Sequence, residues 1–258
     1  MLENKRIIVT GCGRGMGEAT VLAYVAAGAK VVGMDINQEL GNAVVTQANA
    51  NASDQAHFVP VDVTNEKNVT EAFHKAVELL GGGLDVLAHP AAIQATSDPS
   101  EVSAETWDQM FAVNVRGTML ANQAAHRHMR LTGGGSIINF GSISGQRAEP
   151  HAVAYSASKG AVHSWTRSAA AAWGADKIRV NAILPAMVTP MYREARKRMT
   201  DDQNTTAYWT NHHPIALGKA YGDPLTDLGP VMIFFASDAS HFITGQLIPV
   251  DGGQTNTR

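Results

Sequence analysis

A single cysteine, Cys12, is the only thiol in this chain of 258 residues, so no disulfide can staple it internally. That usage fits a reducing compartment. A basic excess is also missing: 20 Lys and Arg stand against 23 Asp and Glu, which argues against a dedicated nucleic-acid binder. No apolar run approaches the ~18 residues of a membrane span. The start, Met1-Leu2-Glu3-Asn4-Lys5-Arg6, has no basic region followed by an apolar stretch, so no signal peptide is expected. Internal repeats, low-complexity tracts and Pro/Ser-rich linkers are absent too. The expectation is one cytoplasmic domain over residues 1–258, with no nucleic-acid or membrane partner.

The chain does have 45% hydrophobic residues, enough for a sizeable core. Short apolar runs alternate with longer Ala-rich segments of helical period. Ile7-Ile8-Val9, 31–34, 58–61, 84–87, 136–140, 178–183 and 246–250 read as strands. Helices are expected near 16–27, 38–50, 66–80, 103–130, 153–174 and 225–237. Alternation of this kind implies an α/β fold, a Rossmann-type doubly wound parallel sheet with helices on both faces in three αβα layers. From about 189 to 223 the pattern breaks into polar, mixed sequence, where a substrate lid would sit.

Thr10-Gly11-Cys12-Gly13-Arg14-Gly15-Met16-Gly17 follows the first strand and opens the first helix. Gly11 permits the tight turn; Gly15 and Gly17 allow backbone to approach a pyrophosphate and the sheet. The helix N-terminus, with Arg14 and Met16 beside it, offers unpaired N–H groups and partial positive charge to a diphosphate. The spacing is G-x-x-x-G-x-G, not G-x-G-x-x-G. Asp35 ends the second strand, where a carboxylate accepts ribose hydroxyls and repels a 2′-phosphate. At ~4 Å and an effective dielectric of ~20 that repulsion is about 4 kcal/mol before screening. NAD is therefore favoured over NADP, although Arg14 could offset the charge by turning toward the ribose. Asp62, with Val63 after it, reads either as a partner for the adenine or as a helix cap.

Tyr155 and Lys159 are four residues apart at the start of a helical segment, so they share one face. A tyrosine with an ordinary pKa of ~10 is a poor base, and a neighbouring ammonium is expected to lower it toward neutrality. Ser142, in Asn139-Phe140-Gly141-Ser142, follows the fifth strand at the ligand-binding edge of the sheet. Asn114 lies inside the long helix before it.

Together with the glycine turn and the late Asp251-Gly252-Gly253, these four residues resemble the short-chain dehydrogenase/reductase family along essentially the whole chain. The resemblance implies hydride transfer between NAD(H) and a secondary alcohol/ketone pair, cyclic or aromatic by the apolar residues nearby. It implies Tyr155 as acid/base, Ser142 as the group bonding the substrate oxygen, Lys159 on the nicotinamide ribose, and Asn114 holding a water for a proton relay. Ala91 would line the adenosine, and Val188 and Thr189 the carboxamide. A homotetramer built on the helices around 103–130 and 153–174 is also implied. Two departures stand out: His89-Pro90-Ala91-Ala92 replaces Asn-Asn-Ala-Gly, and Pro185-Ala186 replaces Pro-Gly. Pro90 lacks an N–H and Ala92 resists positive φ, so the fourth-strand exit is expected to be rearranged.

Ile93, Ile143, His151, Met187, Tyr192 and Trp209 are candidates to wall the substrate pocket, with an ordinary loop histidine the competing reading of His151. His126 and His128 point to different sides of a helix, and His212-His213 has no ligand partner at suitable spacing, so no metal is expected. Cys12 reads as a spacer in the turn. The rival functions are an NADPH-dependent carbonyl reductase and a dinucleotide-binding regulator without catalysis.

Overall fold

The apolar run of β1 (Arg6–Thr10) is buried because both faces of its strand are covered: Ile7 and Val9 point into one core, and Ile8 into the other. The computed structural model describes residues 1–50, 52, 55–96 and 98–255. After β1 come α1 (Gly15–Ala26), β2 (Lys30–Asp35), α2 (Gln38–Asn49), β3 (Ala56–Pro60), α3 (Glu66–Leu79) and β4 (Val86–His89). The chain continues through α4 (Ala104–Phe111), α5 (Gly117–Met129), β5 (Gly135–Phe140), α6 (Val153–Trp173) and β6 (Ile178–Pro185). Next are α7 (Pro190–Lys197), α8 (Asp201–Ala207), α9 (Gly229–Ala236) and β7 (Leu247–Val250).

Among the described residues seven strands run parallel in the order β3-β2-β1-β4-β5-β6-β7. One core lies under α3, α5 and α6, around Phe73, Leu120 and Ala169. The other lies under α1, α2 and α9, around Tyr24, Val44 and Phe235. This is the doubly wound, three-layer architecture expected. Strand order reverses between β1 and β4, which opens a crevice at their C-terminal ends. No helix among the described residues is long and apolar enough to cross a membrane.

Two helices differ from their expected form. The stretch 103–130 is not continuous: a π-helical turn, Ala112–Arg116, separates α4 from α5 and carries Asn114. Such turns widen a helix locally and are frequent at functional sites. The helix expected at 225–237 likewise begins as a π-turn at Pro224–Leu228. Asn37 and Asn65 cap α2 and α3 by accepting the N–H of Leu40 and Asn68. Asp62 is therefore not the cap of α3; its Oδ1 accepts the N–H and the hydroxyl of Thr64.

The β4 exit is held rather than loosened. Asn114 takes the N–H of Ile93 on Oδ1 and donates Nδ2 to its carbonyl, both at 2.9 Å. Ala92 keeps an ordinary negative φ, so the alanine is accommodated without strain. Ala186 does so too, with its N–H bonded to the carbonyl of Val250 at 3.0 Å.

Candidate active site

The turn after β1 is built on its glycines. Gly11 and Gly15 take φ of 61° and 64°, and a Cβ on Gly17 would lie 1.9 Å from the Gly11 carbonyl oxygen. A Cβ on Gly13 would meet the Asp35 carboxylate at 3.1 Å, a tight contact the spacing argument missed. Asp35 accepts the N–H of Gly13 at 2.9 Å and that of Asn37 at 2.8 Å, which ties the turn to the end of β2. Glu18 takes the N–H of Gly15 at 3.1 Å. Gly11 abuts the backbone of Ala91, and Gly15 abuts Thr189 and Pro190. The glycine cradle, the α1 N-terminus and the carboxylate at the β2 end fit a dinucleotide.

Arg14 does not turn to Asp35. Its guanidinium lies 3.9 Å from the Glu194 carboxylate on α7, both exposed. Met16 is half-buried at the start of α1, and Val63 is buried in the α3-side core, so only the backbone of Val63 can face a ligand.

Ser142, Tyr155, Lys159 and Asn114 converge beside this cradle. Lys159 is buried and donates its ammonium to the carbonyl of Phe140 at 2.7 Å. Burial pushes its pKa down to about 8. Tyr155 is half-buried; burial pushes its phenol up to about 12, a hydrogen bond with Ser142 pulls it down, and the Glu149 charge raises it. Burial, and not the lysine-driven lowering expected from spacing, is thus the governing effect on the phenol. Asn114 also donates to Ser158 Oγ at 3.0 Å, and that hydroxyl donates to the Tyr155 carbonyl at 2.7 Å. The amide of Asn114 therefore joins the β4 exit to α6.

Two buried histidines add to the constellation. His89 ends β4 and shares a 2.7 Å hydrogen bond between its Nδ1 and the Thr10 hydroxyl, across the crevice. Its Nε2 is buried with no hydrogen-bond partner among the described residues. Burial, then the Lys159 charge, hold its pKa at about 3, so it is neutral. His163 accepts the backbone N–H of Ser142.

The stretch after β6 forms α7, α8 and a π-turn, Tyr208–His212. Tyr192 hydrogen-bonds His212, and both rings pack on Tyr221, at 5.0 and 4.5 Å between centroids. Arg147 reaches across to Asn211 at 3.0 Å while pairing with Glu149 at 2.7 Å. Ile143 is half-buried directly after Ser142. Met187 is buried instead, in the same core cluster as Leu228 and Met232. Trp209 is 59% exposed and His151 is exposed, so neither has the burial of a pocket wall. Tyr221, His212 and Arg147 were missed because only the folded chain brings them to Tyr192 and Asn211.

Comparison with known proteins gives consistent matches. The family model described as enoyl-(acyl carrier protein) reductase matches residues 11–255. A cyclopentanol dehydrogenase of a Comamonas species is 34% identical over 255 residues, covering 98% of each chain. A 2,5-dichloro-2,5-cyclohexadiene-1,4-diol dehydrogenase of Sphingobium indicum is 37% identical over 257 residues, again covering 98% of each. A solved short-chain type dehydrogenase/reductase from Mycobacterium ulcerans superposes with a TM-score of 0.90 at 29% identity, covering 98% of this chain and 90% of its own.

Proposed function

This chain belongs to the short-chain dehydrogenase/reductase family, and from that premise we propose that it interconverts a small, cyclic secondary alcohol and its ketone with NAD(H). The observation that carries the reading is the meeting of Ser142, Tyr155 and Lys159 at the sheet edge, next to a glycine cradle. Relatives named for cyclopentanol and for a chlorinated cyclohexadienediol support the substrate class. Asp35 at the β2 end, with Arg14 drawn toward Glu194, supports NAD over NADP.

The glycine turn with Met16, Asp35, Asp62, the backbone of Val63, Ala91, Lys159, Val188 and Thr189 would hold the dinucleotide. When bound, its nicotinamide supplies the carbon that exchanges hydride. The protein's own part is position and proton handling. Ser142 holds the substrate oxygen, and Tyr155 gives it a proton in reduction or takes one in oxidation. Lys159 keeps a positive charge beside the phenol, and Asn114 fixes the start of α6. Tyr192 and Ile143 would bound the ring of the substrate.

A groove of about 1130 Å³ is lined by Phe111, Ala112, Val115, Met119, Val162 and Trp165 on α4, the π-turn, α5 and α6. It is the face on which a second copy would pack in a homotetramer, testable by sedimentation. The activity is tested by following NAD reduction with cyclopentanol and related alcohols, for the native protein and Tyr155→Phe. Turnover that falls by at least about a hundredfold in the variant, with NAD binding retained, is expected. Equal turnover in both would overturn the role of Tyr155.

A further inference from the structure

We propose that His163 is a positioning residue that fixes Ser142 relative to Tyr155, an inference resting on the alcohol/ketone reaction above. Tyr155, Lys159 and His163 follow one another at four-residue spacing along α6 and so form one stripe. The last two grip successive points of the β5 exit. Lys159 donates to the carbonyl of Phe140 at 2.7 Å, and the N–H of Ser142 donates to His163 Nε2 at 3.3 Å.

The chain around Ser142 is shaped to admit this ring. A Cβ on Gly141 would lie 2.5 Å from His163 Nε2, and one on Gly145 would lie 2.7 Å from Cε1. The ring is 3% exposed, enclosed between the two glycines. Sheet pairing ends one residue earlier, where Gly141 donates to the carbonyl of Ile183 at 2.9 Å. The imidazole therefore takes over from β6 at the residue whose side chain must be placed.

An accepting Nε2 requires a neutral ring with its proton on Nδ1. Burial, then the charges of Lys159 and Arg167, push the His163 pKa down to about 4, which keeps it in that form at neutral pH. On the other side of Ser142, Oγ accepts the N–H of Ser144 at 3.1 Å and interacts with the Tyr155 phenol. Ser142 is thus held by its main chain and its side chain together. A displacement of ~1 Å at a reacting group can reduce rate by about a hundredfold.

The test pairs His163→Gln with His163→Met. Both side chains are long and unbranched, but only glutamine offers a strong acceptor. His163→Met is expected to lower kcat by about tenfold to a hundredfold, to leave the KM for NAD within about twofold, and to shift the Ser142 amide signal in 15N–1H NMR. His163→Gln should return kcat and the amide signal most of the way. Equal losses in both variants, tracking their melting temperatures, would show a wedge and overturn the proposal. The native protein supplies a reading that needs no variant: 15N-histidine NMR should show a non-protonated Nε2, and an Nε2–H tautomer would reject the hydrogen bond. Should native protein turn over no alcohol, the reaction reading fails, while the two NMR signals still decide for or against the Ser142 hydrogen bond.

Discussion

The ammonium of Lys159 lies 5.6 Å from the centre of the Tyr155 ring, while its hydrogen bond goes to the carbonyl of Phe140. The cation thus faces the π-surface of the tyrosine, where it gains a modest quadrupole attraction. With burial raising the phenol to about 12 and the lysine lowered to about 8, Tyr155 is fully protonated at neutral pH. In the reaction proposed above this would make Tyr155 the acid that protonates a ketone oxygen, with the Ser142 hydrogen bond easing its proton loss.

Lys159 should cost the protein stability at neutral pH. Its pKa falls from 10.5 to about 8 on folding, so the burial penalty is complete below pH 8 and vanishes above 10.5. Removing the charge relieves about 3 kcal/mol at pH 7, and leaving the Phe140 carbonyl without its donor costs about 1–2 kcal/mol. Lys159→Met is expected to melt a few degrees higher at pH 7, to lose that advantage by pH 10.5, and to be inactive. A lower melting temperature at pH 7 would sink the argument.

Cofactor choice should follow Asp35. Replacing it by serine removes the carboxylate that would repel a 2′-phosphate, and the NADP-to-NAD ratio of kcat/KM is expected to rise about tenfold to a hundredfold. Melting should also drop, since the N–H groups of Gly13 and Asn37 lose their charged acceptor. Adding Glu194→Gln should release Arg14 from its partner and raise the ratio further. An unchanged ratio would mean another group discriminates.

Cys12 is a packing residue beneath the turn, beyond the spacer role its position suggests. It is fully buried, its thiol is pushed up to about 12, and a Cβ on Gly33 would lie 2.9 Å from its sulfur. Native protein should leave a thiol reagent unreacted and consume one equivalent only on unfolding. Gly33→Ala should destabilise by about 1–3 kcal/mol. Combining it with Cys12→Ala should recover part of that loss, and simple additivity in the double variant would refute the contact.

Much of this protein was legible in one dimension because periodic burial writes itself into the sequence. Ile7-Ile8-Val9 had to be a strand covered on both faces, and the alternation of such runs with helices determined a parallel, doubly wound sheet. Glycine spacing marked the cradle, since glycine adopts the positive φ of Gly11 and Gly15 at the least steric cost. Four-residue spacing placed Tyr155 and Lys159 on one face, and extended one step it also reaches His163. Spacing along a helix does not say what the face meets. Tertiary structure alone directed Lys159 to the Phe140 carbonyl, opened the π-turn that lets Asn114 hold Ile93, and sent Met187 into the core. It also joined Thr10 to His89 and Tyr192 to Tyr221, pairs separated widely along the chain. Local propensity acts over a few residues, whereas burial and hydrogen-bond direction depend on neighbours supplied by distant strands and helices.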